Sequence, residues 1–244
     1  MGLLKLKNDE IHVWRIPLGQ GNTVFQNFNQ LSQSEQIKAD KFRRRSDRLA
    51  YCQAHLAKRN ILSRYIGQTP QSIVFQSNLF GKPSISKPSN TDLHFNLTHT
   101  TGLALLATSR SPTGIDVERH RFIKDWKLMA SEFFHRDDVK RLVKLPNITA
   151  LKEFFRLWTR TEAVVKAEGT GLQKKQNSIQ WKDWIVIDLD IDPNFSAALS
   201  WEDQAAKQIN LLSYSDSKLD SKFKADQYFM GYTTKIRSTV LFKE

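Results

Sequence analysis

Gly114-Ile115-Asp116-Val117-Glu118 and, further along the chain, Trp158-Thr159-Arg160-Thr161-Glu162-Ala163-Val164-Val165-Lys166 decide how this sequence is read. The first alternates apolar and acidic residues. As a strand it points Ile115 and Val117 into a core and Asp116 and Glu118 to the other face, with attachments ~7 Å apart. The second reads as a helix, on which Glu162 and Lys166 are four apart and share a face. Three carboxylates and an ammonium suit the holding of a hard divalent cation on a diphosphate, because Mg2+ takes one or two carboxylates together with phosphate oxygens and water. One cysteine and no His/Cys cluster of ligand spacing leave nothing that favours zinc. Taken singly the signals are ordinary. An acidic pair on a strand face is common, and a Glu/Lys pair at this spacing is usually a surface ion pair contributing about 0.3–0.5 kcal/mol.

The surrounding chain reads as an α+β protein. Ile11 to Ile16 alternates like a strand. Leu31 to Arg44 reads as a helix opened by Ser32 or Ser34, with Glu35 in its first turn. Asp47 is expected to cap a longer helix through Tyr65, ended by Gly67 and Pro70. Ser77 to Asn90 is rich in Ser, Pro, Gly and Asn and reads as a loop. Leu93 to Leu97 and Leu103 to Thr108 read as strands, and Ser111 to Gly114 turns the chain into the acidic strand. Helices follow over Phe122 to Phe134, Arg136 to Leu145 and Ile148 to Glu168, the last ended by Gly169 and Gly171. Strands are expected at Trp184 to Ile191, Ile209 to Tyr214, Tyr228 to Thr233 and Ile236 to Phe242. Helices and antiparallel-type strands in each half give the α+β pattern. The division is placed at residues 1–112 and 113–244.

Composition narrows the function. Apolar residues make up 40% of the 244, with 15 Phe and 6 Trp, so the chain can bury a core. Cys52 stands alone, which excludes a disulfide framework and fits a reducing, cytoplasmic compartment. There is no apolar run of spanning length, no signal-peptide core, and Leu6 breaks a myristoylation signal. The net charge of +12 is uneven: residues 1–112 hold 15 basic against 6 acidic side chains, residues 113–244 hold 22 against 19. The first half is therefore expected to meet an anion, with Lys38, Lys41, Arg43, Arg44, Arg45 and Arg48 its densest stretch. Nucleic acid is the competing anion, although no recognisable reading module accompanies the basic run.

Four motifs in order resemble one family. They are Phe80-Gly81-Lys82-Pro83, Phe95-Asn96-Leu97-Thr98-His99-Thr100, Gly114-Ile115-Asp116-Val117-Glu118-Arg119, and Phe155 through Leu172, which contains Trp158 to Lys166. The chain is similar, from about Leu31 to about Leu172, to the 4'-phosphopantetheinyl transferases of the single-chain, surfactin-synthetase-activating class. It departs from them at Thr98-His99-Thr100, where the family has Ser-His-Ser, and at Thr161, where the family has Lys.

The resemblance implies two similar α/β lobes about a pseudo-twofold axis, each a small, mostly antiparallel sheet packed by helices. It implies transfer of the phosphopantetheine arm of coenzyme A to a serine of an apo acyl or peptidyl carrier protein, with release of 3',5'-ADP. Asp116, Glu118 and Glu162 are the implied ligands of Mg2+, with Mn2+ the alternative. Asp116, Glu162 and Lys166 are the implied catalytic groups, Glu162 assisting removal of the serine proton and Lys166 meeting the diphosphate. Lys38, Arg45, Gly81, Lys82, Pro83, Thr98, His99 and Lys166 are the implied coenzyme A contacts, with Gly81 to Pro83 around the adenine. The implied partner is acidic, the enzyme a monomer, and a membrane plays no part. Phe122, Ile123, Trp126, Met129, Phe133 and Phe134 are either core residues of an amphipathic helix or a docking patch. Two alternatives stand beside this reading: a basic nucleic-acid-binding protein, and a family member impaired by Thr161 that binds coenzyme A without turnover.

Overall fold

The computed structural model describes residues 3–19, 27–89, 91–171, 183–202 and 208–214. Nine strands and five α-helices lie within them: β1 (Glu10–Pro17), α1 (Gln33–Asp40), α2 (Arg45–Ile66), β2 (Val74–Ser77), β3 (Pro83–Lys87), β4 (His94–Thr100), β5 (Leu103–Ser109), β6 (Thr113–Arg119), α3 (Trp126–Phe133), α4 (Arg136–Leu142), α5 (Asn147–Glu168), β7 (Trp184–Asp188), β8 (Phe195–Glu202) and β9 (Gln208–Ser213). The first sheet runs β4-β5-β1-β9, with β1 antiparallel to β5 and parallel to β9. The second is antiparallel, in the order β6-β8-β7. β2 and β3 form a separate hairpin. The expected mixture of helices and small, mostly antiparallel sheets is what the chain forms.

Strand alternation sets the layers. Trp14, Ile16, Phe95 and Leu106 of the first sheet face Ala54, Ala57, Ile61 and Leu62 of α2. The other face, through Ile11, Val13 and Leu105, packs on Ile115, Val117 and Leu199 of the second sheet. Buried on both sides, β5 reads Leu-Ala-Leu-Leu-Ala-Thr-Ser and shows no polar alternation. α5 covers the far face of the second sheet, where Val164 and Val165 meet Trp184 and Val186. The order is therefore helix, sheet, sheet, helix. A third apolar cluster joins α3 and α4 to the first half of α5 through Trp126, Phe134, Leu142, Phe154 and Phe155.

One contact fixes the separation between β6 and α5. A Cβ on Gly114 would lie 2.0 Å from the Ala163 carbonyl oxygen and 2.4 Å from the Ala167 amide nitrogen. Only a glycine, against a helix face of two alanines one turn apart, lets strand and helix approach this closely.

The local corrections have plain causes. Ser32 caps α1 in a capping box with Glu35, but the helix stops at Asp40 rather than Arg44. Asp47 does not cap α2. Arg44 holds the extended N-cap backbone, and Asp47 sits in the first turn, where its charge suits the helix dipole. Residues 77–90 are not a plain loop, since Pro83 to Lys87 pair with Val74 to Ser77. β8 has no counterpart in the sequence reading because Ala197, Ala198 and Ser200 give it weak strand propensity. It is nonetheless the central strand of its sheet. β9, from the second half of the chain, joins the first sheet beside β1. The strands expected at Tyr228 to Thr233 and Ile236 to Phe242 lie outside the described residues.

Gly114→Ala is expected to destabilise the fold by about 2–4 kcal/mol, because backbone rather than a flexible side chain occupies the space a methyl would need. Urea unfolding measures this. A loss below about 0.5 kcal/mol would mean that the strand and helix are not held at this distance.

Candidate active site

β6 and α5 bring acid and base together at the seam between the sheets. Asp116 is buried, and Lys166, on the last turns of α5, donates from Nζ to its Oδ1 at 2.6 Å. Thr98 on β4 donates from its hydroxyl to the same oxygen at 2.9 Å, and Lys166 Nζ also reaches Thr98 Oγ1 at 3.3 Å. The neighbouring Asn96 holds the two strands in line, its Oδ1 accepting from the Ile115 backbone N–H at 2.9 Å. Asp116 Oδ2 is buried and has no hydrogen-bond partner. An unpaired buried carboxylate oxygen costs free energy unless a ligand or cation meets it.

Glu162, one turn before Lys166, belongs to the same neighbourhood. Burial raises its pKa, Lys166 opposes the rise, and the charges of Asp116 and Glu118 add to it, leaving it at about 7. The three carboxylates thus share one electrostatic field. They do not form a ready-made cage: among the described residues no group of three His, Cys, Asp or Glu side chains is gathered as a metal site. Asp116 faces Lys166, and Glu118 on β6 accepts from Arg121 at 2.6 Å. The donor set still fits a hard divalent cation, by the chemistry of three carboxylates and by the orphaned Asp116 Oδ2.

A second charged cluster adjoins this one. Glu35, on α1, pairs with Lys58 at 2.8 Å, with Arg59 at 2.6 Å and with His55 at 3.0 Å, all on α2. Despite the opposing effect of burial, His55 and Lys58 hold the Glu35 carboxyl well below the usual range. His55 and His99 interact electrostatically, and Lys38 lies over the Tyr51 ring at 5.6 Å. Desolvation first, then the ammoniums of Lys166 and Lys38, lower the pKa of His99. Lys38, His55, Lys58, His99 and Lys166 are therefore coupled electrostatically across the two clusters. Sequence reasoning found Lys38, His99 and Lys166. It missed His55 and Lys58, and the only signal for their partner was the Ser32/Glu35 capping pattern.

Both halves of the chain match known proteins. The profile of the 4'-phosphopantetheinyl transferase superfamily matches residues 112–230, and that of the N-terminal part of 4'-phosphopantetheinyl transferase matches residues 20–111. The 4'-phosphopantetheinyl transferase HetI of Nostoc sp. is 36% identical over 174 residues, covering 70% of this chain and 73% of HetI. This chain belongs to the 4'-phosphopantetheinyl transferase family. Two further transferases of the family align over shorter stretches. Gsp of Aneurinibacillus migulanus is 34% identical, over 51% of this chain and 50% of its own length. Sfp of Bacillus subtilis is 29% identical, over 64% of this chain and 67% of its own length.

The remaining residues singled out in this transferase sequence fall in separate places. Arg45 is exposed in the first turn of α2. Gly81 takes a positive φ of 86° in the turn of the β2–β3 hairpin, and Pro83 opens β3. The Lys82 ammonium donates to the Ala167 carbonyl on α5 at 2.6 Å, so its charge is directed at protein. Thr161 is buried and donates to the Leu157 carbonyl, so no charge stands at that position. Of the apolar group after β6, Trp126 and Phe134 are core, Ile123, Met129 and Phe133 are half-buried, and Phe122 is 81% exposed. No helix among the described residues is long and apolar enough to cross a membrane.

The charged clusters set an acid limit. Burial and the Lys58 charge lower the His55 pKa from 6.5 to about 4. Within that interval the unfolded chain binds a proton that folded His55 refuses, so stability falls as pH falls from 6.5 towards 4. Buried His12, and His94, His99 and His120, shift in the same direction. Glu35, held below its ordinary 4.5, contributes stability that is present above that pH and is lost below it. Glu162 works the other way, its pKa of about 7 adding stability as pH falls towards 4.5, so the wild-type profile sums opposing parts. The His55 part is isolated by comparison: the urea midpoint of His55→Gln is expected to gain on that of the wild type as pH falls from 6.5 to 4.5. A constant difference between the two across that window would contradict this account of His55.

Proposed function

We propose that the protein moves the 4'-phosphopantetheine arm of coenzyme A onto a serine of an apo acyl or peptidyl carrier protein, releasing 3',5'-ADP. The observation that carries the reading is the convergence of Asp116, Thr98 and Lys166, with Glu162 beside them, at the meeting of β4, β6 and α5. A carboxyl poised near neutral pH, an ammonium and a buried carboxylate oxygen in one place match phosphoryl transfer, which needs positioning and charge neutralisation.

In this mechanism the carrier serine oxygen forms a bond to the pantetheine-side phosphorus, and the bond from that phosphorus to the bridging oxygen of the diphosphate breaks. Glu162, beside Lys166 on α5, assists removal of the serine proton. Lys166, anchored by Asp116 and Thr98, offers its charge to the leaving phosphate. Asp116, Glu118 and Glu162 would hold Mg2+, or Mn2+ in its place, and the bound ion neutralises charge on the diphosphate oxygens. Lys38, His99 and Arg45 meet the 3'-phosphate end, and the Gly81 to Pro83 backbone approaches the adenine. The open space at the Gly81 α-carbon supports that approach.

The acceptor is an acidic carrier protein, matched to a chain of net charge +12. Exposed Phe122, which follows β6, and exposed Leu128 on α3 suit its docking. The enzyme acts as a cytoplasmic monomer, with residues 1–112 serving the nucleotide and residues 113–244 the chemistry.

Incubated with coenzyme A, Mg2+ and a panel of apo acyl and peptidyl carrier proteins, the protein is expected to raise the mass of at least one carrier by one phosphopantetheine. No modification of any carrier would sink the reading. Asp116→Asn is expected to lower the transfer rate by about 100-fold or more while the thermal midpoint is largely kept. Near-normal transfer by this variant would remove Asp116 from the chemistry.

A further inference from the structure

The β2–β3 hairpin reaches across to α5 and takes hold of its C-terminal end. The last four carbonyls of a helix have no intrahelical donor, and cations near them are favoured. Gly169, in the left-handed conformation at φ 74°, closes α5 through its own N–H to the Val165 carbonyl. The Ala167 and Gly169 carbonyls are met from the hairpin instead. Lys82 Nζ donates to the Ala167 oxygen at 2.6 Å, and Asn78 Nδ2 donates to the Gly169 oxygen at 2.8 Å. The fit is close: a Cβ on Gly169 would come within 2.8 Å of Lys82 Cδ and 3.0 Å of Asn78 Nδ2.

Asn78 does two jobs with one amide. Its Oδ1 accepts from the Phe80 and Lys82 backbone N–H groups at 3.0 and 2.9 Å, which builds the turn, while its nitrogen reaches the helix. A purely local turn residue has no need of the second bond. Lys82 is also buried enough that desolvation lowers its pKa to about 8, so its placement against the helix costs solvation that an exposed loop lysine keeps.

We propose that Asn78 and Lys82 are positioning residues that hold the last turn of α5, and thereby set the reach of Lys166 and Glu162 towards Asp116. The inference rests on the transferase reading for its kinetic consequence. The hairpin that approaches the nucleotide then also fixes the helix that carries the reacting groups, so coenzyme binding and the alignment of Lys166 depend on the same turn. Lys82 acts here through α5, and its side chain does not grip the nucleotide.

Two variants separate this from a simple nucleotide contact. Asn78→Asp keeps an oxygen for the Phe80 and Lys82 amides and removes the donor to Gly169. Lys82→Met keeps the stem and removes the ammonium, and Lys82→Arg restores a donor. With an apo carrier that the wild type modifies, both loss variants are expected to lower kcat by about tenfold or more and to leave KM for coenzyme A within about threefold. Lys82→Arg is expected to recover most of kcat. Hydrogen–deuterium exchange of the amides of residues 165–169 is expected to quicken in both loss variants and not in Lys82→Arg. Raised KM with intact kcat would make the hairpin a nucleotide contact only and overturn the proposal. Unchanged exchange in both variants would overturn it on structural grounds. If the wild type modifies no carrier, the transferase reading falls by itself, and the exchange measurement alone decides the clamp. Should Asn78→Asp fail to fold, Lys82→Met, which leaves the turn-building amide in place, carries the same test.

Discussion

The missing side chain at residue 114 governs the geometry around it. On β6, Gly114, Asp116 and Glu118 share a face. On α5, Ala163 and Ala167 are one turn apart, and each directly follows one of the candidate-site residues, Glu162 and Lys166. Seating Gly114 against Ala163 and Ala167 therefore sets the distance at which Asp116, two residues further along the strand, meets Lys166. A small side chain at 114 would separate the elements and weaken every pairing across them. Packing and chemistry are in this sense one constraint, in which small residues make the contact and their neighbours use it.

The same economy appears between the sheets. β4 and β6 are edge strands of different sheets, so their facing backbone groups are not paired by a continuous ladder. The Asn96 side chain supplies one missing acceptor for the Ile115 N–H, and Thr98, two residues on, supplies a donor to Asp116. Threonine in place of the family's serine leaves that hydroxyl in use. The difference at Thr98 therefore preserves the bond that matters to Asp116, and the added methyl is accommodated in a buried position.

Much of this was legible beforehand, and the reasons for the rest are specific. Alternation in Gly114 to Glu118 and helical spacing in Trp158 to Lys166 are properties of the backbone period, so they survive folding. The stretch from Ser77 onwards reads as a loop because Pro83, Gly81 and several serines and asparagines dominate its composition. The pairing that forms the β2–β3 hairpin depends on Phe75 and Ile85 packing beneath α2, which local sequence does not record. β8 was hidden for the converse reason. Its small residues are poor strand formers alone, and they are selected by close packing between β6, β7 and α5. Burial of β9 beside β1 is a long-range pairing with no local mark at all.

The two glutamates show where reading by residue type stops. Glu35 and Glu162 have the same side chain and both are largely withdrawn from water, so burial alone pushes both towards the neutral form. Lys58, Arg59 and His55 surround Glu35, and the balance swings to the charged carboxylate, which braces α1 against α2. Glu162 has Lys166 on one side and two acids, Asp116 and Glu118, on the other, and the balance leaves it able to hold or release a proton near neutrality. The two acids are thus distinguished by the company that the fold assembles, from residues far apart in the chain. In the sequence, therefore, Glu35 reads only as an acid in a first helical turn, and Glu162 stands out by its motif and not by its surroundings, which exist only once the chain has folded.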